Sequence, residues 1–305
     1  MNRRIVLAIL LSLTSFGLAF GVRAADQRLT VIASIPDFAD IGREIGGEHI
    51  SIESIARGVE DPHAVPVRPS IASKLARADV LIEMGLDMEH AWLPSLVDAS
   101  NNPKIKGDGR IIATEGVVPK DVPTTVGRRE GEQHTEGNPH VNVGPEGGRA
   151  FARNICEGLS RAAPRFKADF DANLKRYLEK LDKKEAEWRA AAAKLKGIRF
   201  VSFHPDMVYL ADYLGMEQLG TIEPKPGISP SASHTADLIN IMKAQKAQLV
   251  IREPQYPEGL ANEIASQTGA KVVKLAIMVG GLPEATSWIA MIDANIKALL
   301  EATGK

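Results

Sequence analysis

The sequence predicts an α/β protein: two similar β/α lobes, each a parallel-sheet sandwich, joined by one long rigid backbone helix. Three observations carry this. Short apolar runs alternate with helical periodicity in both halves of the chain, which implies parallel pairing. The order β-α-β-α occurs twice. Between the two copies, residues 165–196 contain neither Pro nor Gly.

Taken in order, residues 29–35 (Leu-Thr-Val-Ile-Ala-Ser-Ile) form a buried strand, and Phe38 to Ile45 a helix that Gly46-Gly47 ends. Ile50 to Ile55 is the second strand. Next comes Val59 to Ser70, where Pro62, Pro66 and Pro69 exclude a helix interior or a central strand. Ile71 to Ala78 is helical, Val80 to Met84 a strand, Ala91 to Val97 a helix and Ile111 to Thr114 a short strand. Residues 116–139 are polar with few apolar side chains and read as a mobile loop.

After Pro145 the pattern is helical. Phe166, Phe170, Leu174, Tyr177, Leu181, Trp188 and Leu195 fall near one face of the 165–196 stretch. At 1.5 Å per residue that helix would run roughly 48 Å, a rod spanning both lobes, with Gly197 as its stop. In the second half, Arg199 to Phe203, Gln218 to Ile222, Gln248 to Arg252 and Lys271 to Leu275 are strands. Asp206 to Leu214, Ser233 to Gln245, Gly259 to Thr268 and Glu284 to Thr303 are helices. The domain plan is therefore a signal peptide over 1–25, an N-terminal lobe over 26–145, a helical connector over 146–197 and a C-terminal lobe over 198–305.

The 305 residues suit about two domains, with 44% hydrophobic and 25% charged residues, an ordinary globular composition. No block of like charge suggests nucleic acid. Arg3-Arg4, the apolar run from Ile5 to Phe20 and Val22-Arg23-Ala24 match a secretory signal cleaved near Ala24 and Ala25. The run is too short for a membrane anchor. The single cysteine, Cys156, lies among apolar residues at helical spacing and reads as a small buried residue. A soluble periplasmic monomer is expected.

The chemistry concentrates on histidines beside prolines: Pro62-His63, Pro139-His140 and His204-Pro205. Neutral imidazole is the commonest protein ligand for zinc, copper and nickel, and three imidazoles with one further position make a tetrahedral zinc site. His63 follows the second strand of the first lobe, His204 follows the first strand of the second, and His140 closes the polar loop. Ligands bind at the carboxyl ends of such strands, so all three can line the cleft between the lobes. His49, His90 and His234 lack this context and read as packing or surface residues. His134, in the polar loop, reads as solvated.

Asp61-Pro62-His63 with Arg68-Pro69-Ser70, Asn138-Pro139-His140, the strand ending in His204, and Arg252-Glu253-Pro254-Gln255-Tyr256 resemble, in order and spacing, the TroA/ZnuA-like zinc- and manganese-binding proteins of ABC importers. The resemblance covers essentially the whole mature chain. It implies that His63, His140 and His204 are metal ligands, that the cargo is zinc rather than manganese or copper, and that the partner is an importer's membrane permease. Manganese members typically carry glutamate at the position of His204.

The family's usual fourth ligand, an aspartate after the last strand of the second lobe, falls at Ala276 here. Glu60, Asp61, Glu223, Glu253 or a water would have to complete the site. The open fourth position also leaves an alternative, a zinc-dependent hydrolase with Glu253 as base.

Overall fold

The structure, a computed structural model, describes residues 28–124 and 134–305. The expected signal peptide and the middle of the 116–139 segment lie outside the described residues.

The first lobe is a four-stranded sheet of β1 (Leu29–Ala33), β2 (Ile50–Ser54), β3 (Val80–Glu83) and β4 (Arg110–Ile112). Its order is β2-β1-β3-β4 and every pairing is parallel. The second lobe repeats the plan with β5 (Arg199–Ser202), β6 (Glu217–Thr221), β7 (Leu249–Arg252) and β8 (Lys271–Lys274), ordered β6-β5-β7-β8 and again wholly parallel. The helices are α1 (Pro36–Gly46), α2 (Pro69–Leu75), α3 (Leu93–Ser100), α4 (Gly147–Ala162), α5 (Lys167–Leu195), α6 (Val208–Leu214), α7 (Ala232–Gln245), α8 (Glu258–Thr268) and α9 (Trp288–Thr303).

The differences from expectation are at element ends and have local causes. Proline at the first turn starts α1 and α2 earlier, because its fixed φ suits that position. The last helix starts at Trp288 rather than Glu284, since the Ser287 side chain accepts a bond from Ala290 N–H and sets the cap there. The connecting helix has 29 residues rather than 32, because Pro164–Phe166 makes a separate 3₁₀ turn. It is still about 44 Å long. Phe170, Tyr177, Leu181, Trp188 and Leu195 are its buried stripe.

The two lobes share one core. The inner face of the second sheet (Phe200, Leu249, Ile251, Val273) belongs to the same apolar cluster as the whole first lobe and α5, while its outer face forms a separate small cluster around Val201, Val250 and Ile264. The loop after β8 also crosses to the first lobe. Gly58 faces it so closely that an added Cβ would lie 2.3 Å from Val279 O. Only glycine permits that approach.

Candidate metal centre

Two of the three histidines sit in the same local device. In Asp61-Pro62-His63 the Asp61 carboxylate accepts the His63 backbone N–H at 2.9 Å. In Asn138-Pro139-His140 the Asn138 amide oxygen accepts the His140 N–H at 3.0 Å. Each is an Asx turn whose central proline presets φ, so the ring that follows leaves the turn in a fixed direction. The proline loop is held further by Trp92, whose indole N–H donates to Pro62 O at 2.9 Å. His204 arrives differently, just past the carboxyl end of β5, where β5 pairs with both β6 and β7.

The loops bring the three rings together. Ring centroids are 4.9 Å apart for His63 and His140, 5.4 Å for His63 and His204, and 5.2 Å for His140 and His204. One ring nitrogen from each lies within 4.8 Å of the others, and His63 Nε2 is 3.0 Å from His140 Nε2. Tetrahedral zinc with nitrogens at 2.0–2.1 Å separates them by about 3.4 Å, so the cluster is nearly the right size. All three are buried.

The far side of two of the rings is also specified. Asn138 Oδ1 accepts from His140 Nδ1 at 3.0 Å, and Glu223 Oε2 lies 3.0 Å from His204 Nδ1. Both bonds orient the ring and leave Nε2 for the interior of the cluster, the arrangement of outer partners around ligating imidazoles. Asn138 also donates to Pro205 O at 2.7 Å, tying His140 to the His204 segment. Tyr209 adds a bond to Asn138 O at 2.7 Å.

The electrostatics favour neutral rings at two positions. Burial, then repulsion from neighbouring imidazoles, holds His63 and His140 well below the ordinary histidine range. Burial would lower His204 as well, but Glu223, Asp206 and Asp61 outweigh it and raise it. Of the three rings, His204 is therefore the one at which a proton competes most with an incoming ion.

Two expectations need correction. His134 is not a solvated loop residue. Its ring centroid is 4.8 Å from that of His63, both ring nitrogens are buried without a hydrogen-bond partner, and burial pushes it down to about 4. Thr135, next to it, anchors the segment by two bonds to the Asp87 carboxylate. His134 is nonetheless outside the group of nitrogens that meet. Nor are the ends of the 116–139 segment loose: Lys120 N–H donates to Tyr209 Oη at 3.0 Å and Asn138 N–H to Lys120 O at 2.7 Å. His49 stacks on Phe166 at 3.9 Å and His234 Nε2 meets Thr221 O at 3.0 Å, as packing residues should. The ring of His90 reaches His134, 5.9 Å away.

The acids around the cluster have distinct occupations. Glu60 is paired with Arg68 and accepts from Arg57 N–H. Asp61 holds its turn, and burial raises its carboxyl. Glu223 serves His204. Glu253 is fully buried against Asp206, with no cationic side chain paired to either carboxyl among the described residues. Burial pushes both carboxyls up. That disfavours the carboxylate form a ligand or base would need. Ala276 is in the core, its N–H and C=O both bonded to the Asn295 side chain. Glu223 thus serves as the outer partner of a ligand candidate rather than as the ligand itself, a role set by tertiary contact.

Comparison with known proteins identifies the family and the fold. The model of the family described as ZnuA, the periplasmic component A of zinc-uptake complexes, matches residues 31–302. The zinc-binding lipoprotein AdcA of Streptococcus pneumoniae (strain ATCC BAA-255 / R6) is 25% identical over 288 residues, covering 92% of this chain and 57% of AdcA. The manganese ABC transporter substrate-binding lipoprotein PsaA of Streptococcus mitis is 34% identical over 167 residues, 54% of this chain and 52% of PsaA. The chain thus spans little more than half the length of these curated relatives. Among solved structures, that of ZnuA superposes with a TM-score of 0.77 at 24% identity, covering 91% of this chain and 99% of ZnuA. A zinc-bound ZnuA deletion mutant gives 0.76 at 26%, covering 90% and 97%. With two parallel-sheet lobes on one long helix and a family match across nearly its whole length, the chain belongs to the ZnuA family of periplasmic zinc-uptake components.

Proposed function

We propose that this chain is the binding protein of an ABC importer. It takes up one divalent transition metal ion, zinc, on His63, His140 and His204, and delivers it to a membrane permease. It works in the periplasm as a monomer, after loss of residues 1–25 near Ala24 and Ala25, with lobes over 26–145 and 198–305.

The observation that carries this is the meeting of three buried imidazoles whose outer nitrogens, at His140 and His204, are already occupied by Asn138 and Glu223. An all-nitrogen set suits zinc, whereas manganese prefers carboxylate oxygen. Glu60, Asp61 and Glu223 have other partners, and burial disfavours the carboxylate form of Glu253, so a water completes the tetrahedron. Glu223, acting through His204, supplies negative charge against the ion's double positive charge. Burial of the cluster means that loading and release need a segment around it to move.

The hydrolase reading relies on Glu253 as base, and its burial against Asp206 speaks against it. Calorimetric titration of metal-free protein tests the binding reading. One equivalent of zinc, bound more tightly than manganese, is expected; manganese binding tighter than zinc would overturn the zinc assignment. Zinc-dependent turnover of generic esters would restore the hydrolase.

A further inference from the structure

We propose that Asn142 and Asp37 are positioning residues for His140, through which the C-terminal lobe fixes that ring in the metal cluster. This rests on the metal-binding reading above.

Asn142 lies two residues beyond His140 in the same 3₁₀ turn, His140–Val143. Its side-chain amide is buried and divides its two N–H groups between the lobes. One donates to Asp37 Oδ1 on α1 at 3.0 Å, and the other to Ile277 O in the loop after β8 at 2.7 Å. Its backbone carbonyl accepts the Trp288 indole N–H at 2.8 Å. Asp37 closes the ring: its second oxygen takes Val279 N–H at 3.1 Å. The neighbouring Asp40 takes Trp288 N–H at 2.8 Å. Three parts of the chain, α1, the His140 turn and the 277–288 loop, therefore meet at one asparagine.

The packing leaves no slack around this junction. Trp288 lies so close to α4 that a Cβ at Gly148 would be 2.3 Å from its ring. Gly58 backs the 279–281 loop with the same tightness. Asp37 and Asn142 are buried, so losing either partner strands a polar group without water. His140 has a local brace in Asn138, which orients the ring and also bonds to Pro205 O beside His204. Asn142 adds a second and separate tie from within the 3₁₀ turn, since its side chain bonds to both lobes. The segment that by resemblance would carry a fourth ligand thus has a different task here: its backbone, rather than a side chain, secures the site.

The experiment compares zinc release to excess chelator, and the visible spectrum of the cobalt-loaded full chain, in wild type, Asn142→Ala, Asp37→Ala and the double variant. Asn102→Ala is the control, because it cuts buried bonds to Leu75 O and Ala78 O elsewhere in the first lobe. We expect release at least about tenfold faster and an altered cobalt spectrum in both single variants. The double variant should release no faster than the faster single, the signature of one shared network. Asn102→Ala should lower the melting temperature and leave release and spectrum unchanged. If Asn142→Ala does not fold, Asp37→Asn, which spoils one of the two contacts, carries the same comparison. Wild-type release and spectrum in a folded junction variant, or equal changes in Asn102→Ala, would overturn the proposal. A wild type that takes up neither zinc nor cobalt would overturn the metal reading itself.

Discussion

Replacing Glu223 with Gln removes a charge while keeping an oxygen near His204. In the structure Glu223 Oε2 is 3.0 Å from His204 Nδ1, and both side chains are buried. A metal on the opposite nitrogen would lie roughly 6–7 Å from that carboxylate, and at an effective dielectric of about 20 the attraction is about 2.5 kcal/mol. Losses on removing outer partners of ligating histidines run about 10–100-fold, or about 1.4–2.7 kcal/mol. The geometry therefore places Glu223→Gln near the upper end. A second effect opposes this one. Glu223 also helps hold a proton on His204, so the variant releases that proton more readily on metal binding. The deficit should then be largest at alkaline pH, where wild-type His204 is already neutral, and shrink as pH falls. Competition against a chromophoric zinc chelator at several pH values measures this. Unchanged affinity at alkaline pH, or a deficit that grows toward acid, would refute the reasoning.

Two other perturbations discriminate within the structure. His63→Ala should weaken zinc binding far more than His134→Ala, since the His134 nitrogens stand outside the group that meets; equal losses in titration would bring His134 into the site. Burial pushes Asp37 up from 3.8 to about 7. Its folded value lies above the unfolded one, so this group's stabilisation is full below about pH 4 and declines as pH rises to about 7. Between about pH 5 and about pH 8 the wild type should lose about 3 kcal/mol relative to Asp37→Asn, read from urea unfolding; a change under about 1 kcal/mol would contradict the burial effect.

Much of this was legible in the sequence, for physical reasons. The strands are short β-branched runs closed by Gly or Pro, and α5 is a long uninterrupted apolar stripe, so local pattern and tertiary structure agree there. His63 and His140 were findable because Asx-Pro-His is a turn with its own geometry, independent of the rest of the fold. His204 was findable from the strand that delivers it. What stayed hidden depends on distant contacts. The burial of His134 follows from where its loop lands, and no neighbour in sequence signals it. The partnership of Glu223 with His204 spans nineteen positions, and the Asn142 bonds to Asp37 and Ile277 span 105 and 135. Asn142 reads as an unremarkable polar residue until both lobes are placed.

X-ray absorption at the zinc edge of the loaded protein tests the central claim most directly. Three imidazole nitrogens at about 2.0–2.1 Å and one oxygen at a similar distance are predicted. The spectrum should lose its imidazole scattering when His63, His140 and His204 are replaced together by Ala. Fewer than three imidazoles in the wild type, or a spectrum unchanged in the triple variant, would contradict the assignment of the metal to these histidines.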